Sequence, residues 1–145
     1  MIIKPTFGLD QLLFGMKQKD VEAIYGKASS SFTDEEGNLI LLYNHLKARL
    51  TFYEEEEFRL GYIICSHPDV LLYGQKVIGT PYAEVKKLLA AKGYQSFEEE
   101  TFDSFINYFN EDFWTILQTE FGEVIKVEVG AVVKNQDEFD WKFKA

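Results

Sequence analysis

The chain has a single cysteine, Cys65, among its 145 residues, which excludes a disulfide framework and a cysteine-built zinc site. Histidine, the usual acid–base residue near neutral pH, occurs only twice. Basic side chains are outnumbered, with 15 Lys and Arg against 24 Asp and Glu and a formal charge of −9. A field of that sign repels both the phosphates of nucleic acid and an anionic membrane surface, so neither is expected as a partner. Apolar runs are short, as in Leu39-Ile40-Leu41-Leu42-Tyr43, against the ~20 residues that span a bilayer. The start, Met1-Ile2-Ile3-Lys4-Pro5-Thr6-Phe7, has neither a basic segment leading into an apolar one nor a nearby cysteine for lipidation. A cytoplasmic protein is the expectation. No Gly-x-Gly-x-x-Gly, Walker-type loop, Gly-x-Ser-x-Gly or His-Glu-x-x-His occurs, and no cofactor is expected.

What is abundant is aromatic. Phe, Tyr and Trp make up 16% of a chain that is 46% hydrophobic and 27% charged, a composition that folds and favours strands. One block recurs: Gly15-Met16-Lys17-Gln18-Lys19-Asp20-Val21-Glu22-Ala23-Ile24 aligns with Gly79-Thr80-Pro81-Tyr82-Ala83-Glu84-Val85-Lys86-Lys87-Leu88 at an offset of 64. Each block reads as a short amphipathic helix. Val21, Ile24 and Tyr25 make one stripe, and Val85, Leu88 and Leu89 the other. Thr80 before Pro81 is expected to cap the second helix, and Gly26 and Gly93 to close the two.

Strands follow each helix. Ala48, Leu50 and Phe52 alternate with polar neighbours, as do Phe58, Leu60, Tyr62 and Ile64, and then Ile125, Val127, Val129 and Ala131. Period 2 with one polar face predicts antiparallel strands that turn one side to a core. The fold class is therefore α+β. Two tandem units are expected, residues 1–69 and 70–145, each a short helix plus about four antiparallel strands. Their sheets would join into one curved sheet with the helices on one face.

A glycine start, an acid-Val helix, a closing glycine and a strand meander resemble the β-lactamase-inhibitor-protein type of fold and the related SmpA/OmlA outer-membrane assembly lipoproteins. The resemblance covers Gly15 to about Ile64 and Gly79 to about Val133. Gly26-Lys27-Ala28 and Gly93-Tyr94-Gln95 stand where that family has Gly-x-Pro, and the disulfides or lipidated cysteine of its members are missing. The resemblance implies a sheet that binds another protein. In type rather than sequence, the chain is also similar to small acidic cytosolic immunity proteins that neutralise a toxin.

Candidate chemistry is sparse. Cys65 and His67, at i and i+2 of an extended segment, would share a face, with Asp69 close by. A buried thiol beside a linker histidine is the plainer reading, and three ligands fall short of the four of a structural zinc. No catalytic residue or metal site is expected. The acids are more informative. Asp34–Glu36, Glu54–Glu57, Glu98–Glu100, Glu111–Asp112 and Asp137–Glu138 hold fourteen of the 24 acids, all assigned to turns or loops. Two readings stand open: a solubility and edge-protection device, or a field that steers a basic partner. Aromatics next to the acids supply the other half of an interface, with Tyr53, Glu54, Glu55, Glu56, Glu57, Glu111, Asp112 and Trp114 as its residues, and for Tyr53 and Trp114 plain packing is an equally open reading. The tail Phe139-Asp140-Trp141-Lys142-Phe143 alternates aromatic and charged and is expected to dock on its own chain. The expected function is non-enzymatic protein binding, most concretely an immunity or inhibitor protein that occludes a basic toxin or enzyme. The alternatives are a scaffold module that binds by strand addition, and a small-molecule sensor or enzyme around Cys65, His67 and Asp69.

Overall fold

Both expected helices form. In the computed structural model, which describes residues 1–144, α1 spans Gln18–Tyr25 and α2 spans Tyr82–Ala91. Asp20 Oδ2 accepts the backbone N–H of Lys17 at 2.9 Å, which sets an acid at the positive end of α1. The start of α2 departs from expectation. Pro81 rather than Thr80 holds the cap position, because the Thr80 hydroxyl donates back to the Lys76 carbonyl at 3.0 Å. At the other end Gly93 adopts a φ of 92°, a left-handed turn that costs glycine little. There the Gly93 and Tyr94 amides return to the Ala90 and Leu89 carbonyls. Val21, Val85 and Leu89 are buried, whereas Ile24, expected in the α1 stripe, is exposed.

Among the described residues, thirteen strands make two sheets. The first is built from β1 (Ile2–Lys4), β2 (Gly8–Leu9), β3 (Leu12–Leu13), β8 (Leu71–Leu72) and β9 (Gln75–Lys76), in the order β3-β2-β1-β8-β9. The larger one holds β4 (Ser30–Thr33), β5 (Leu39–Tyr43), β6 (Ala48–Tyr53) and β7 (Arg59–Cys65) from the first half. From the second half it takes β10 (Glu98–Phe102), β11 (Phe105–Asn110), β12 (Thr115–Glu120) and β13 (Glu123–Gly130). Its order, β10-β11-β12-β13-β7-β6-β5-β4, is two antiparallel meanders joined through β7 and β13.

The junction of helix and last strand is built alike in both halves. Gly15 N–H donates to the Leu60 carbonyl and Leu60 N–H to that of Met16, at 2.9 and 2.7 Å. Sixty-four residues on, Gly79 donates to Val124 and Val124 to Thr80, at 2.7 and 3.0 Å.

Cross-strand registers separate the faces of the large sheet. Leu41, Leu50, Ile63, Val129, Thr115 and Asn110 lie in one row, every one buried. That face meets Val21, Val85 and Leu89 of the helices, and Ile3, Leu9, Leu12 and Leu72 of the small sheet, in a single core. The opposite face carries the half-buried Leu42, Ile64, Ile116 and Phe109 with exposed Arg49 and Lys126, and is open to solvent.

Two irregularities correct the expected alternation. The register shifts between Thr51 and Phe52, so Gly61 is an extra residue, and Tyr62 and Ile64 turn to the open face while Ile63 and Cys65 point inward. A shift between Gln118 and Thr119 does the same to Ile125, leaving Val124 and Val127 in the core. Among the described residues, no helix is long and apolar enough to cross a membrane.

Candidate functional site

Three turns and the start of an edge strand converge where the chain is most acidic. The pairs Thr33–Leu39, Leu39–Phe52, Tyr53–Arg59, Tyr62–Gly130, Val129–Thr115, Thr115–Asn110 and Phe109–Glu98 trace one end of the large sheet. The turns carrying Asp34–Glu36, Glu54–Glu57 and Glu111–Asp112 all emerge there. Glu98–Glu100 is corrected from a turn to part of edge strand β10, whose exposed side chains carry the acids at the same end.

Two aromatic rings are set into this end by the strands beneath them. Tyr53 lies across Gly61, where a methyl group would overlap its ring, and its hydroxyl donates to the Gly61 carbonyl at 3.3 Å. Trp114 lies across Gly130 in the same way, and its indole meets Phe109 edge-on at 4.9 Å. The turn that delivers Trp114 is shaped by buried Asn110, whose Oδ1 accepts the amides of Asp112 and Phe113 at 2.9 and 3.2 Å. Tyr62 stands beside them, its hydroxyl donating to Glu128 Oε1 at 2.6 Å.

Two adjoining cavities result. One, of about 590 Å³, is lined by Tyr53, Glu111, Asp112, Trp114, Val133 and Phe139. The other, of about 470 Å³, shares Tyr53 and Trp114 and adds Tyr62, Phe109, Asn107 and the Glu98–Glu100 edge. Burial, with the charge of Glu36 behind it, pushes the Tyr53 phenol up to about 12. Burial, then the charge and hydrogen bond of Glu128, raises Tyr62. Both phenols are therefore neutral donors at physiological pH, and the carboxylates carry the charge.

Tyr53, Glu111, Asp112 and Trp114 thus share one wall. The Glu54–Glu57 run does not join them. Glu54 faces a separate cavity of about 690 Å³ with Lys17, Lys19 and Phe58. Glu57 lies 3.7 Å from the Arg59 guanidinium, and Glu55 is exposed on the turn between them. Glu56 is half-buried there. Tyr62, Phe109, Asn107 and Phe139 are not among the interface residues expected from sequence. The readable signal was an isolated glycine inside each of two strands, Gly61 and Gly130, since a strand glycine often marks a close approach.

The tail does dock in cis. Val133 pairs with Phe139, and the Lys142 and Phe143 amides donate to the Phe14 carbonyl at 3.1 and 3.0 Å. Phe139, Trp141 and Phe143 are half-buried against the core.

Cys65, His67 and Asp69 do not converge. The shared face expected for Cys65 and His67 fails because Cys65 Sγ turns into the core, 3.7 Å from the Leu46 carbonyl, where burial pushes the thiol up. His67 Nδ1 accepts the Asp69 amide at 3.0 Å, and the Asp69 carboxylate lies 3.6 Å from Lys76. Among the described residues, no three His, Cys, Asp or Glu side chains gather to hold a metal.

No family model and no curated protein matches the chain. Among solved structures it is similar to an extracellular protein containing an SCP domain from Bacillus anthracis str. Ames, with a TM-score of 0.51 and 15% identity. The match covers 79% of this chain and 43% of that one, so the chain spans less than half of that protein's length. A likeness at this identity is one of fold alone.

Proposed function

We propose that the chain is a non-enzymatic, cytoplasmic protein-binding module whose open sheet face docks a basic partner at its acidic end. Its most concrete form is an immunity or inhibitor protein that occludes the active site of a basic toxin or enzyme. The observation that carries the reading is the seating of Tyr53 and Trp114 on Gly61 and Gly130, side by side, within a rim of carboxylates. Aromatic anchors held by rigid strands lose little entropy on binding, and acids around them steer a basic surface and reject an acidic one. The resemblance to the β-lactamase-inhibitor-protein type of fold supports the same reading.

The test is affinity capture from the native host with the intact chain and with Trp114→Ala as bait. Proteins kept by the first and lost by the second are expected to be basic, and to be released between about 0.1 and 0.5 M salt, as the Debye length shrinks. Capture that is insensitive both to salt and to the substitution contradicts the proposal.

Strand addition remains as a second reading on one observation. Edge strand β4, Ser30–Thr33, is exposed along its length and carries no charged residue, so its outer backbone groups lack the usual protection of an edge. The docked tail is not available for that role.

A further inference from the structure

We propose that the cavity between Tyr53, Tyr62, Phe109 and Trp114 is a socket for an arginine side chain of the bound protein, a proposal that rests on the protein-binding reading above. Four aromatic side chains and Ile116 supply its apolar surface, and β10 stands along one side, with Glu98 and Glu100 opposite Phe109 and Asn107 on the open face and Glu99 opposite Tyr108 on the other. Among the described residues, no basic side chain lines it. Tyr62 lies against Glu128, its hydroxyl already spent on that carboxylate, and the Tyr53 hydroxyl is spent on the Gly61 carbonyl. What these tyrosines offer an occupant is therefore ring surface and a hydroxyl oxygen that can only accept, which suits an occupant made of donors.

One polar atom in the wall is unsatisfied. Asn107 Oδ1 is buried and accepts no hydrogen bond among the described residues. It sits on β11 between Gln118 and Glu100 of the flanking strands, on the open face. Leaving a buried acceptor unpaired costs free energy, which the side-chain amide recovers by turning its carbonyl into the cavity when an occupant brings a donor.

These features select among cations. A guanidinium is flat, stacks on an aromatic face, and presents five N–H groups in one plane. Stacked among these rings, its edge can serve a glutamate and the Asn107 carbonyl together. A lysine ammonium is a strongly hydrated point charge that cannot stack. A neutral side chain would leave the acids uncompensated.

The experiment is an NMR titration of the full-length ¹⁵N-labelled chain with hexa-arginine, hexalysine and hexacitrulline. Hexa-arginine is expected to bind about three- to thirtyfold more tightly than hexalysine, the range a cation–π contact supplies. It should also move the Trp114 indole N–H and Asn107 side-chain amide signals, with hexacitrulline silent. Trp114→Ala should remove that preference. Because Trp114 also covers Gly130, Asn107→Lys serves as an independent variant. It leaves all four rings in place, offers the socket the chain's own cation, and should abolish the preference while the rest of the spectrum is unchanged. Equal affinity for the two basic peptides, without movement of those two signals, overturns the socket and leaves a face that binds by charge alone. Binding of neither peptide overturns the socket and the basic-partner reading together.

Discussion

Tyr53 and Trp114 reach the same end of the sheet by different turns, and each ring rests on a glycine of the strand it crosses. At Gly61 the constraint is space. The residue is fully enclosed within β7, and an added methyl would fall inside the Tyr53 ring. Gly61→Ala is therefore expected to cost about 1–3 kcal/mol, the usual penalty of overpacking, and to lift the tyrosine off the strand. The check is urea unfolding of a double-mutant cycle. In a Tyr53→Ala background the added methyl should cost less than about 0.5 kcal/mol, because its obstacle has gone. An unchanged cost in both backgrounds would trace the penalty to the backbone instead. This pairing is only half legible in the residue string. Two aromatics beside acidic runs stand out, but which strand lies beneath a ring depends on register, and register here depends on a bulge. Simple alternation puts Tyr62 in the core; the extra residue at Gly61 turns it outward, into the proposed socket.

Elements long enough to show periodicity were readable, and those too short were not. The helices announce themselves through Val21, Val85 and Leu89 at helical spacing. The two-residue strands β2, β3, β8 and β9 cannot display an alternation, so the small sheet that helps cover the core had no signature. The acids of β10 look like a turn because three consecutive glutamates are unusual in a strand. On an exposed edge they keep other chains from pairing with it. The tail shows how composition and topology combine. Its alternating aromatics favour a docked strand, and the fold supplies the seat: Trp141 Cβ and the Phe143 carbonyl both lie 3.1 Å from where a Gly15 side chain would begin. Lys142 lies over the Phe7 ring at 4.7 Å, and its ammonium lies 2.7 Å from Asp140. Truncation after Glu138 removes three half-buried aromatics and exposes what they cover. It is expected to lower stability by about 3 kcal/mol or more, visible as a lower urea midpoint. A truncated chain of unchanged midpoint would mean that the tail is an ornament on a core complete without it.

The two halves, 1–69 and 70–145, look separable in sequence, but three features bind them into one cooperative body. The last strand of each meander pairs with the other, with Val127 opposite Cys65 and Val129 opposite Ile63. β1 at the start of the first half pairs in parallel with β8 of the second, Ile3 opposite Leu72. Both helices and both meanders contribute to a single buried cluster. Cut apart, the first half would expose the hydrogen-bonding edge of β7 and the inward-facing Ile63 and Cys65, and β1 would lose a neighbour. A fragment of that size has little core to spare, since small domains bury a smaller share of their surface. We therefore expect residues 1–69 alone to give the far-UV spectrum of an unfolded chain. In the intact protein Trp114 and Trp141 both lie in the second half, but Trp141 is seated against Gly15 of the first, so it is Trp114 fluorescence in a Trp141→Phe variant that reports the second half, while far-UV circular dichroism reports both. The two urea transitions should coincide. Amide exchange at Leu50 and Ile63 should then proceed with the same opening free energy as at Leu117 and Val127. A dichroism transition that precedes the fluorescence change, together with faster exchange at Leu50 and Ile63, would show the β7–β13 pair to be a seam between two independent units. The acidic rim would then lie across a movable joint, because Tyr53 and Tyr62 belong to one half and Trp114 and Phe109 to the other. With the halves locked, the four rings keep fixed positions before any partner arrives, and the partner is spared the cost of ordering them.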